Sequence, residues 1–277
     1  MCLLSTVESY GSSIFPADRR TSAGGQPSKD NHQTTDETDG RVGGTFTMDR
    51  AGITTISFDC YGTLINWEAG LLPALRSMLS SHRVSLADAD ILELYGEFEA
   101  EAETGAYQSY RKVLESVVRA FGERFTFDPN PDELRSLHES LPSWPPFSDT
   151  VAALRKLKER FRLAVISNID NDLFAATSRQ LEVEFDGVIT AEMARSYKPS
   201  ANNFQLALRT LGIAPVQLLH AGQSVYHDVV PARGFGIRTV WVNRRSARPG
   251  VGAVRRADAT PDLEVQDLAG LVAALNV

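Results

Sequence analysis

The chain has 277 residues, 43% of them hydrophobic and 23% charged, enough apolar material for one sizeable core or for a core domain with a smaller insert. A net charge of -7 with no Lys/Arg-rich run leaves no electrostatic footprint for nucleic acid. No apolar stretch reaches the roughly 20 residues of a membrane span, and the two cysteines, Cys2 and Cys60, suggest neither a disulfide framework nor a zinc site, so a cytoplasmic enzyme is expected.

Residues 1–47 are rich in Gly, Ser, Thr, Asp and Gln, with Ser22-Ala-Gly-Gly-Gln-Pro-Ser28 at their centre, and are expected to form a disordered leader. Met48 is an alternative start to Met1, and acidic residues such as Glu8, Asp18 and Asp30 argue against a transit peptide. Ile53 to Phe58 then reads as a strand. From Trp67 to Leu141 the apolar residues recur at helical spacing, as in Leu71, Leu72, Leu75, Met78, Leu79 and again Val113, Leu114, Val117, Val118, Phe121. A crossover helix needs far fewer residues, so this surplus is expected to form a helical cap domain, 67–141, inserted in a core made of 48–66 and 142–277. Trp144-Pro-Pro-Phe147 marks the return to the core, because consecutive prolines favour an extended connection. Four more strands are expected, at Leu163 to Ser167, Gly187 to Thr190, Gln217 to Ala221 and Thr239 to Asn243. Short β-rich runs alternating with helical stretches predict an α/β protein with a parallel sheet, whose ligands sit outside the strand C-termini.

Polar residues cluster in sequence at those C-termini. Asp59 ends the first strand and is followed by Gly62 and Thr63, a turn permissive enough to aim a carboxylate at a ligand. Ser167-Asn168 ends the second strand, Lys198-Pro199 follows the third, and Asp228 lies past the fourth in Gly222-Gln-Ser-Val-Tyr-His-Asp228. An anionic nucleophile attacking an anionic substrate needs fixed positive charge and donors nearby, which Lys198 would supply. Each residue also has a plainer reading. Asp59, Asp228 and the Ser167-Asn168 pair can cap the following helix or turn, Thr63 can tie its own loop, and Lys198 can be a solvated surface side chain.

In order and spacing these four segments resemble the haloacid dehalogenase superfamily, over essentially the whole chain from about residue 50 to 275. The resemblance implies a Rossmann-like core, a helical cap after the first motif, and Asp59 attacking a small anionic substrate to form a covalent ester that water then cleaves. It further implies that Ser167 binds the anionic group, Lys198 steadies the nucleophile's charge, and Asp228 orients Lys198 or the attacking water. Superfamily phosphatases carry a general-acid Asp two positions after the nucleophile, where this chain has Tyr61. A halide leaves without protonation, so loss of the acid favours carbon–halogen cleavage. Asp59-Cys-Tyr-Gly-Thr63 and Trp241-Val-Asn-Arg244 resemble the type II, L-2-haloacid dehalogenase branch, although Tyr61 also suits a turn simply as a large amphipathic ring.

Gln223 replaces the first acidic residue of the fourth motif, leaving less charge than magnesium prefers, so no metal and no cofactor are expected. That branch receives the halide on a cap arginine, and Leu92-Glu-Leu-Tyr-Gly-Glu-Phe-Glu-Ala-Glu101 contains none. Arg111 is a candidate substitute or an exposed arginine, with Asn168 as the other halide contact. His227 is a candidate water-activating base or a structural histidine. The expected activity is (S)-2-haloacid dehalogenase; the alternatives are a magnesium-dependent phosphatase and a non-catalytic binding protein with the same fold. Apolar faces on the cap helices leave a homodimer open.

Overall fold

The structure is a computed structural model that describes residues 48–244 and 257–277. The expected leader, 1–47, lies outside the described residues. Six strands, β1 (Thr55–Phe58), β2 (Arg162–Ser167), β3 (Gly187–Thr190), β4 (Leu218–Gly222), β5 (Arg238–Val242) and β6 (Leu263–Val265), form one sheet in the order β3-β2-β1-β4-β5-β6. Every pairing is parallel. The five strands anticipated from the sequence are present, each within two residues of its expected ends. The sixth, β6, is three residues long at the sheet edge, too short for a period to be read from it.

The sheet is covered on both faces, as a parallel sheet must be. Along β2, Leu163 and Val165 join one apolar cluster while Ala164 and Ile166 join another, the second completed by Ile189, Phe204, Ala207 and Leu211. This explains why β1, Thr-Ile-Ser-Phe, is buried at all four positions despite two hydroxyl side chains. The strand order reverses between β1 and β4, and that reversal opens a crevice at their C-terminal ends where an open α/β sheet receives its ligand. Asp59 follows β1 and the Gly222–Asp228 segment follows β4.

Between β1 and β2 lie α1 (Trp67–Ser81), α2 (Asp88–Ala102), α3 (Tyr110–Phe125) and α4 (Pro131–Ser140). Their boundaries follow local chemistry. Asn130 accepts from the Asp132 and Glu133 amides while Glu133 reaches back to the Asn130 amide, with Pro131 at the first helical position. In α3 the stripe Val113, Leu114, Val117, Val118, Phe121 is fully buried, facing α2 and α4. The chain re-enters the sheet region where Pro146 bridges Ile65, followed by α5 (Thr150–Lys158). The remaining helices are α6 (Asn171–Ser178), α7 (Ala191–Ala194), α8 (Ala201–Leu211), α9 (Val230–Gly234) and α10 (Leu268–Ala274). Among the described residues no helix is long and apolar enough to cross a membrane.

Candidate active site

Lys198 is the centre of the site. Its Nζ lies 2.9 Å from Asp59 Oδ1 and 2.6 Å from Asp228 Oδ1, and all three side chains are largely or wholly buried. Asn168 fixes this lysine through the backbone: its Oδ1 accepts from the Lys198 amide at 2.7 Å and its Nδ2 donates to the Lys198 carbonyl at 3.2 Å. The exposed-surface reading of Lys198 is therefore overturned. So is the helix-capping reading of Ser167 and Asn168, because Asp170 occupies the N-cap position of α6.

Thr63 aims the Asp59 carboxylate. Its Oγ1 donates to Asp59 Oδ2 at 2.8 Å while accepting from the Gln223 amide at 2.9 Å, so one hydroxyl ties the loop after β1 to the loop after β4. Two glycines make this approach feasible. Gly62 has φ +97°, and a Cβ there would meet Gln223 Oε1 at 2.1 Å; a Cβ on Gly222 would meet the Asp228 carboxyl at 2.4 Å. The C-terminal segment braces the same loops. Trp241 Nε1 donates to the Gln223 carbonyl, and Arg244 donates to the Thr63 carbonyl, grips Asp149 with both terminal nitrogens and stacks over Phe147.

Asp228 lies in a π-helical turn, Val225–Val229, and has a donor on each oxygen. Oδ1 takes Lys198 Nζ and, at 3.1 Å, His220 Nε2; Oδ2 takes the Ser224 amide at 3.2 Å. His220 Nδ1 is in turn 2.8 Å from Ser57 Oγ, its cross-strand neighbour in β1. With the imidazole proton on Nε2, the ring donates to Asp228 and accepts from Ser57. Burial raises the Asp228 carboxyl, but Lys198 and His220 outweigh it and hold the group well below the usual carboxylate range. For Asp59 the balance is reversed. Burial is the largest influence and Asp228 adds to it, so the carboxyl lies above its ordinary value despite Lys198 and Thr63. Burial opposes the Lys198 charge, yet two flanking carboxylates raise its pKa and keep it protonated.

Asp59, Lys198, Asp228, Ser167, Asn168, Tyr61 and His227 line one cavity of about 90 Å³, together with Trp67, Glu99, Tyr110 and Trp144. Ser167 is 2% exposed, and its buried Oγ has no hydrogen-bond partner. Tyr61 donates to or accepts from Thr177 Oγ1 at 2.8 Å and meets Trp144 edge-on, which holds its ring as a fixed wall. His227 Nδ1 lies 3.1 Å from Ser224 Oγ.

Arg111 is not brought into the cavity. Its guanidinium binds both oxygens of Asp172, at 2.8 and 2.6 Å, and that bidentate pair holds it outside the lining. The expectation that Arg111 stands in for the halide arginine is corrected accordingly. Sequence reasoning also missed His220 and Glu99. A histidine inside the apolar run Leu218-Leu-His220 was the available sign for the first, and Glu99 lies in the segment searched only for arginine.

The donor set does not suit magnesium. Asp228 is already engaged by Lys198, His220 and the Ser224 amide, Gln223 brings no charge, and among the described residues no group of three or more His, Cys, Asp or Glu side chains could hold a metal.

Residues 53–236 match the family model for haloacid dehalogenase-like hydrolases. The chain belongs to that family. This haloacid dehalogenase-like hydrolase is 29% identical over 167 residues to a (S)-2-haloacid dehalogenase H-109 of Pseudomonas putida, covering 59% of this chain and 72% of the relative. It is 24% identical over 220 residues to a (S)-2-haloacid dehalogenase of Pseudomonas fluorescens, covering 76% and 92%. Its fold matches the L-2-haloacid dehalogenase of Xanthobacter autotrophicus solved with chloropropionic acid covalently bound. That match has a TM-score of 0.66 and 21% identity, over 79% of this chain and 96% of that one.

One consequence of the site can be checked directly. His220→Leu strips one of three donors from a fully buried carboxylate, and urea unfolding should show a loss of about 1–3 kcal/mol. An unchanged midpoint would mean that His220 does not support Asp228.

Proposed function

We propose that the enzyme hydrolyses the carbon–halogen bond of a small (S)-2-halocarboxylic acid with inversion at the attacked carbon. The observation that carries this is the Asp59–Lys198–Asp228 cluster with Tyr61, bound to Thr177, where a phosphatase would hold its proton donor. Asp59 attacks C2 from behind the halogen, forming a C–O bond as the carbon–halogen bond breaks and halide leaves. Water then attacks the Asp59 carboxyl carbon, the ester bond breaks, and the 2-hydroxy acid departs as Asp59 regains its charge. His227 receives the proton from that water. Ser167 donates to the substrate carboxylate, which satisfies its unpartnered hydroxyl, and Lys198 stabilises charge on Asp59 throughout. Asn168 acts by holding Lys198 in place. The halide leaves towards the aromatic wall of Trp67, Tyr61 and Trp144, whose ring edges are electropositive.

In this proposal α1 to α4 act as a cap domain over the core residues 48–66 and 142–277, and the substrate is a small molecule. The donor set supports turnover without magnesium. Halide release and phosphate release should be assayed across a panel of 2-haloacids and phosphate esters, each with added magnesium and with excess chelator. Halide release insensitive to chelator is expected; phosphate release that chelator abolishes would replace this function with a phosphatase.

A further inference from the structure

The cavity wall supplied by α2 is acidic. Glu99 and Glu103, the C-cap of α2, line the same space as Asp59, Ser167 and Lys198. Glu99 Oε1 accepts from the Tyr95 hydroxyl at 2.8 Å and the Tyr110 hydroxyl at 2.6 Å, and the two hydroxyls are themselves 3.1 Å apart. The tyrosines fix the carboxylate firmly but supply neutral donors, with no countercharge. Among the described residues, the basic side chains lining the cavity are Lys198 and His227, and the Lys198 ammonium is shared between Asp59 and Asp228. Arg111 is engaged by Asp172 on the outside. Burial therefore pushes the Glu99 carboxyl above the usual range, with the tyrosine hydroxyls opposing it.

Glu99 is half-buried, and a carboxylate partly withdrawn from water with only neutral partners favours a cation beside it. The unpartnered Ser167 hydroxyl, 2% exposed and lining the same cavity, independently points to a ligand there, because a buried donor without an acceptor is equally unfavourable. The two unmet demands are of opposite kind. One asks for an acceptor beside Lys198, and the other asks for a cation beside α2.

We propose that Glu99 selects a substrate carrying a positively charged amino group, so that the enzyme takes a short amino-substituted 2-halocarboxylic acid. Its carboxylate lies against Ser167 and Lys198, and its ammonium lies against Glu99. This rests on the dehalogenase function for the halide and carboxylate and adds the cation. The bonds made and broken are unchanged.

The test compares short 2-chlorocarboxylic acids bearing a terminal amine with the same acids lacking it, in wild type and Glu99→Gln. Gln keeps an acceptor for both tyrosines, and the ratio of kcat/KM within each pair is read. The expected result is a preference of at least about tenfold for the aminated member that collapses to near unity in Glu99→Gln. Equal values within the wild-type pairs would overturn the proposal. So would a uniform fall across all acids in Glu99→Gln with the ratio intact, which would make Glu99 a proton donor. If neither member is turned over, the dehalogenase function fails by itself. Calorimetry with the non-halogenated amino acids of the series then still decides: binding lost in Glu99→Gln upholds the cation site, and no binding to wild type removes it.

Discussion

Asp59→Asn is expected to abolish turnover, lowering kcat by at least about ten-thousand-fold, because the carboxylate that would form the ester is lost and its neighbour on Lys198 cannot replace it. Asp228 is the nearest candidate, and it is unavailable: 1% exposed, it accepts on both oxygens from Lys198, His220 and the Ser224 amide. Asn retains the shape of Asp59, and its one amide oxygen still accepts from Lys198 while its amide nitrogen faces Thr63 Oγ1, so the melting temperature should change far less than activity. A single turnover of wild type in labelled water should place the label first in the Asp59 carboxyl. Label arriving in product without passing through the protein would exclude the ester. Since burial raises the Asp59 carboxyl above the ordinary range, the acid limb of kcat/KM for wild type should also lie above that range, with activity lost as falling pH protonates the nucleophile.

Lys198→Met should damage stability and activity together. The ammonium is 2% exposed and lies within 2.9 Å of two carboxylates, so its removal leaves Asp59 and Asp228 facing each other in the core without a countercharge. Breaking a buried pair by deleting one partner costs about 3–5 kcal/mol, much of it from the charge left behind. Denaturant unfolding at neutral pH should show a loss of that size, and kcat should fall by several orders of magnitude. Pairing the change with Asp228→Asn supplies the diagnostic. With one carboxylate neutralised, the double variant should be more stable than the sum of the two single losses implies, because both act on one cluster. Strict additivity would mean that Lys198 is not the shared countercharge of the two aspartates.

The backbone of the site was legible in the sequence because it depends on local order. An aspartate at a strand end, a lysine before a proline and a second aspartate after a glycine-containing turn each announce themselves within a few residues. Five strands could be read the same way, since each combines β-rich composition with a flanking helical stretch. Thr63 and Asp228 could be proposed for the site from position alone, though not what each would bind.

Residues whose position depends on partners far along the chain could not be read. Arg111 was a reasonable halide ligand in sequence, and only the position of Asp172, 61 residues away, shows that its charge is directed elsewhere. Asn168 could be placed beside the cavity from its position, but not the clamp its amide makes on the Lys198 backbone 30 residues on. His220 owes its place beneath Asp228 to strand register, which pairs it with Ser57 across 163 residues. Glu99 was one acid among many on an acidic helix, and although its partners Tyr95 and Tyr110 are near in sequence, only the packing of α2 against α3 brings their hydroxyls together on it. The sequence by itself determined the family, five of the six strands and the carboxylate, lysine and serine that meet at the strand ends. The tertiary structure alone decided which charges share the cavity, because a charge acts on whatever lies within a few ångströms, and that distance is set by packing between elements remote in the chain.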